Sequence, residues 1–119
     1  MNLQIDLPPP PTGVRRMYAI AFDLDTDELK TAYPAPSWNN AYFDVRGVLE
    51  EHGFSWRQGS VYFGDERVTP VTCVLAIQEL SKRFEWFGTC VRDVRMLRIE
   101  ENNDLTPCLL YTSDAADDL

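Results

Sequence analysis

Asp23, Asp25 and Asp27 stand within five residues, directly after the apolar run MYAIAFDL. Carboxylates that close together repel one another unless water or a cation neutralises them. Hard divalent ions such as Mg²⁺ and Mn²⁺ prefer oxygen donors of this kind. A calcium-binding EF-hand loop is excluded, because it needs glycine and glutamate where Glu28 and Pro34 stand. A phosphatase of the haloacid-dehalogenase type also opens on an apolar strand and Asp-x-Asp. Here Thr26 falls one place early, and the chain is short for that fold. Acids that only cap and solubilise a turn are the plain alternative, weightier for Asp25 and Asp27 than for Asp23.

Two further clusters bear on chemistry. In Gln58-Gly59-Ser60 the serine can hydrogen-bond a phosphate or a water, with Arg57 close in sequence; the same three residues also suit a tight turn and nothing more. Arg92, Asp93, Arg95 and Arg98 crowd one short element. Their guanidinium groups suit backbone-phosphate contacts or ion pairs with Glu100, Glu101 and other acids. Asp93 lies in a mostly apolar segment and needs a partner there: an arginine, a helix end or a metal. Trp38 and Tyr42 are read as core rings before base-stacking platforms. Cys73 is read as a core residue, Cys90 as a loop thiol, and His52 as a cation at a helix C-terminus.

These residues need elements to position them. Met17 to Leu24 reads as a buried strand, with Tyr18, Ile20, Phe22 and Leu24 on one face and Ala19, Ala21 and Asp23 on the other. Residues 25–36 read as a loop containing at most one helical turn. Ser37 is read as the N-cap of a helix carrying Trp38, Ala41, Tyr42, Val45, Val48 and Leu49, with Gly53 stopping it. FSWRQGSVYFG reads as two strands about Gln58-Gly59. Thr69-Pro70 caps a second helix through Phe84, closed by Trp86 to Gly88, and Val91 to Ile99 forms the last strand. Strand, helix, strand, strand, helix, strand is the order of an α+β ferredoxin-like sandwich. Its antiparallel sheet carries two helices on one face and leaves the other open for a second copy.

The 119 residues suit one domain and carry a formal net charge of −8, which disfavours a broad basic groove for nucleic acid. A local basic patch beside an acidic site remains compatible with that charge. No stretch is apolar enough to span a bilayer. Three cysteines without paired spacing point to reduced thiols and a cytoplasmic location. The expected organisation is an extension over 1–16, a domain over 17–107 and a tail over 108–119. The proline run Pro8–Pro11 belongs to the extension, and Met17 is the expected native start, with Thr12-Gly13-Val14 encodable by a ribosome-binding sequence. Cys108 to Asp117 is, in order, the translation of the end of a common sequencing adapter, so no function is expected of it.

MYAIAFDLDTD, SWNNAY, LEEHGF, QGSVYFG, VTCVLAIQEL and VRDVRMLRIEENNDL follow in order from Met17 to Leu105 and closely resemble the virulence-associated protein D family. The resemblance implies a homodimeric ferredoxin-like fold, similar to small CRISPR-associated endoribonucleases, that cleaves single-stranded RNA. It implies, for some members, a small antitoxin partner. By motif, Asp23, Ser60 and Asp93 match the catalytic positions. Asp23 is the expected ligand of Mg²⁺ or Mn²⁺, and Arg57, Arg92 and Arg95 are the expected RNA contacts. A non-catalytic dimer that binds nucleic acid or protein is the alternative.

Overall fold

The structure, a computed structural model, describes residues 17–110. The readings of the N-terminal extension, and of the tail from residue 111 onward, fall outside the described residues. Four strands, β1 (Met17–Leu24), β2 (Phe54–Gln58), β3 (Val61–Gly64) and β4 (Val91–Ile99), form one sheet in the order β2-β3-β1-β4. Every neighbouring pair is antiparallel. This is the ferredoxin-like arrangement expected from the element order, and it excludes the parallel sheet of the phosphatase reading.

The alternation of β1 decides which face is covered. Ile20, Phe22 and Leu24 are buried under the helices, with Phe54 and Tyr62 from the neighbouring strands. Phe22 stacks on Tyr62 at a centroid distance of 6.0 Å and meets Phe87 edge-on at 6.5 Å. Helix α2 (Ala41–Glu51) buries Val45, Val48 and Leu49, while α3 (Pro70–Arg83) buries Cys73, Ala76 and Leu80. Both present apolar residues three or four apart, as a sheet-covering helix must. The start of α3 is a capping box. The Thr69 hydroxyl accepts from the Thr72 backbone N–H, the Thr72 hydroxyl accepts from the Thr69 N–H, and Pro70 takes the first turn, where no donor is missed.

The structure differs from the sequence reading at three places. Residues 26–32, read as loop, form a helix, α1 (Thr26–Ala32), because Asp25 caps it by accepting the Glu28 N–H and Leu29 anchors it in the core. Ser37 does not cap α2. It precedes a short 3₁₀ turn, Trp38–Asn40, and its hydroxyl accepts from the Asn40 side chain instead. Residues 85–90 form a separate helix, α4 (Glu85–Cys90), which buries Trp86, Phe87 and Cys90, so Cys90 is a core thiol and not a loop one. Gly53 does end α2, at φ 95°, a left-handed backbone that glycine adopts without strain. His52, just before it, sets Nδ1 2.9 Å from the Val48 carbonyl oxygen, so the ring nitrogen donates to the helix end.

Candidate functional site

One end of the open sheet face collects the candidate acids. Asp23 is the last-but-one residue of β1, and its register partner on β4 is Asp93. Like charges set opposite each other in a ladder repel, and two arginines on β4 relieve this pair. Arg95 Nε lies 3.0 Å from an Asp93 carboxylate oxygen. Arg92 reaches back across the strand end, with Nη1 3.9 Å from Asp23 and Nε 3.4 Å from Asp25. That reach comes from a bulge. Asp23 pairs with Asp93 but Leu24 pairs with Val91, so Arg92 is the extra residue and its side chain is re-aimed. The Asp25 N–H donates to the Cys90 carbonyl at 2.8 Å, pinning the end of β1 to the start of β4.

The carboxylates have different employment. Asp25 is held below the usual carboxylate range, first by the Glu28 N–H bond of its capping role and further by Arg92. Asp93 is engaged by Arg95, whose own proton it holds more firmly. Asp23 is 62% exposed, and the 3.9 Å approach of Arg92 is its ion pair. Tyr42, at the start of α2, stands near enough for the Asp23 charge to add to burial in raising its phenol pKa. Sequence reading placed Tyr42 among core rings; helix periodicity alone carries no signal that its position neighbours Asp23.

Ser60 joins the same end of the sheet. Its turn is made by Gly59 at φ 52°, and the Ser60 carbonyl accepts the N–H of Phe22, the residue before Asp23. Asp23, Asp93, Ser60, Arg92 and Arg95 therefore come together at one sheet end from three separate stretches of chain. Arg57 does not join them. It is the extra residue of a second bulge, between β2 and β3, and its guanidinium lies over the Phe63 ring at 4.8 Å. There it borders a cavity of about 740 Å³ whose other wall includes Asn102, Leu105 and Leu109. Arg98 pairs with Glu100 at 2.7 Å. The ion-pair reading of the β4 arginines holds for all three, and all three remain exposed to solvent.

Among the described residues, no three His, Cys, Asp or Glu side chains converge to hold a metal ion. With Asp25 committed to its cap and Asp93 to Arg95, the donor set of one subunit does not fit a metal by itself. Among the described residues, no helix is long and apolar enough to cross a membrane.

Fold and site together define a small ferredoxin-like α+β domain with a carboxylate–guanidinium centre at one end of its sheet. No protein-family model matches the chain. It is 56% identical over 93 residues to Endoribonuclease VapD 2 of Riemerella anatipestifer, covering 78% of this chain and 99% of that protein. It is 54% identical over 93 residues to an Endoribonuclease VapD homolog of Helicobacter pylori, covering 78% and 96%. Endoribonuclease VapD of Dichelobacter nodosus is 44% identical over 90 residues, covering 76% and 94%. The chain belongs to the VapD family of endoribonucleases.

Proposed function

We propose that this endoribonuclease cuts single-stranded RNA at the sheet end that holds Asp23. It acts as a cytoplasmic homodimer and as the toxin of a pair with a small antitoxin protein. The observation that carries the site is the solvent-facing Asp23 carboxylate, set opposite Asp93 and beside Arg92 and Arg95. An exposed carboxylate can accept a proton, and adjacent guanidinium groups can neutralise a phosphate. In this reading Asp23 takes the proton of a ribose 2′-hydroxyl as that oxygen attacks phosphorus. The bond to the 5′-oxygen breaks, the leaving oxygen is protonated from solvent, and a cyclic phosphate remains. Arg92 and the Ser60 hydroxyl hold the charge that grows on the phosphoryl oxygens. Arg95 and Arg57 seat flanking phosphates.

The open sheet face supports the dimer. Leu97 is 45% exposed there, on the side of the sheet that the helices leave uncovered. In the proposed dimer two such faces pack together with one Asp23 towards the other. A Mg²⁺ or Mn²⁺ ion would be held by an Asp23 from each subunit, keeping most of its water, and would polarise the phosphate.

The test uses end-labelled single-stranded RNA, with Mg²⁺ or with EDTA, and the Asp23→Asn variant. That variant is expected to elute as the wild type does and to lose at least ~100-fold in rate, the scale of a lost general base. Full activity in Asp23→Asn would remove it from the chemistry. Cleavage that survives EDTA and leaves a cyclic phosphate supports the 2′-hydroxyl route; loss of activity in EDTA supports the ion. A folded dimer that binds RNA without turnover would favour the non-catalytic alternative.

A further inference from the structure

The β2 edge of the sheet carries a feature that the Asp23 centre does not use. Phe43 on α2 is 63% exposed and Trp56 on β2 is 44% exposed, large rings that a fold normally hides. Arg46 lies with them, its guanidinium carbon 5.5 Å from the Phe43 ring centre and 4.4 Å from that of Trp56. Its Nε is buried and lacks a hydrogen-bond partner among the described residues, beside two solvent-facing rings. The stack is also tied to the site. Trp56 Nε1 donates to the Gly59 carbonyl at 2.8 Å, in the turn whose next residue, Ser60, accepts from Phe22.

We propose that Phe43, Arg46 and Trp56 form a stacking ledge for an unpaired base of the RNA, on the helix-covered side of the sheet beside the turn that carries Ser60, so that the strand rounds the sheet end to reach Asp23 on the open face. This rests on the single-stranded ribonuclease reading above. Rings and a guanidinium plane offer π faces to any base. The physical need is plain in a domain whose residues 17–107 hold 15 Asp and Glu against nine Lys and Arg. Long-range attraction for RNA is weak, so affinity must come from short-range contacts. Single-stranded RNA can present such a base, whereas a duplex keeps its bases stacked within the helix.

The test is steady-state cleavage of a single-stranded oligoribonucleotide by wild type, Phe43→Ala, Phe43→Trp and Trp56→Ala. Phe43 is mostly exposed, so its truncation leaves the core intact. Each alanine variant is expected to raise KM about 10-fold with kcat unchanged, and Phe43→Trp to restore the wild-type KM. An oligonucleotide made abasic at the ledge position should abolish the difference between wild type and Phe43→Ala. Wild-type cleavage with no change of KM in either alanine variant overturns the ledge and leaves the ribonuclease standing. Unchanged KM with weakened self-association overturns it in favour of a contact between copies. A wild type that neither binds nor cleaves RNA overturns both.

Discussion

Asp23 and Asp93 occupy one register position yet differ in what they can do. Asp93 accepts two bonds from Arg95 Nε, at 3.0 and 3.3 Å, whereas Asp23 keeps a solvent-facing carboxylate. Exposed ion pairs of this kind add little stability, so replacing these side chains should affect chemistry more than folding. Tyr33 shows the opposite balance. Its hydroxyl donates to Asp44 at 2.6 Å, linking the end of α1 to α2, and this bond pushes the phenol up to about 12 from 10.0. A raised pKa means that the fold favours the protonated form. The contribution is fully present below pH 10 and is lost as pH rises through about 12. Tyr33→Phe should therefore cost about 1 kcal/mol at neutral pH, and the gap to wild type should close between those two values. Denaturant unfolding across that range reads it; a gap that persists at the alkaline end would contradict the assignment.

At the scale of elements, two bulges carry arginines as their extra residues, Arg92 on β4 and Arg57 on β2. Regular pairing at Arg92 would have turned it away from Asp23 and Asp25. Among the described glycines, the tightest surroundings lie where β3 leads into the loop before α3. A methyl group added at Gly64 would stand 2.7 Å from Cβ and Cγ1 of Val68, a buried, stiffly branched side chain. Gly64→Ala should cost roughly 1–3 kcal/mol. A melting temperature equal to that of wild type would show that the loop yields freely. Thr69→Ala, which removes the capping box of α3, should cost about 1 kcal/mol on the same scale.

For the whole molecule, charge is the governing quantity. The domain's excess of acids over bases works against RNA, while Arg57, Arg92 and Arg95 supply local positive charge on the open face and at its end. If those three contact phosphates, the logarithm of RNA affinity should fall against the logarithm of salt with a slope of roughly −2, about −0.7 for each contact. Filter binding by the Asp23→Asn variant at several salt concentrations measures this. A slope near zero would leave stacking alone to hold the RNA.

The sequence by itself determined the strand–helix order, the two faces of β1, the Gly53 stop and the Thr69-Pro70 cap. Each depends on residues close together in the chain, through periodicity or cap chemistry. It also singled out Asp23, Ser60, Asp93 and the arginines as types able to act on a phosphate. Local signals misled where a tertiary contact decided the outcome. Leu29 found a place in the core and turned an expected loop into α1, while Trp86, Phe87 and Cys90 did the same for α4. Only the folded sheet placed Asp23 opposite Asp93, bulged Arg92 towards both Asp23 and Asp25, brought Tyr42 within reach of the Asp23 charge and gathered Phe43, Arg46 and Trp56. Pairing register and bulges depend on how distant segments pack against one core, and no short stretch of chain contains that information.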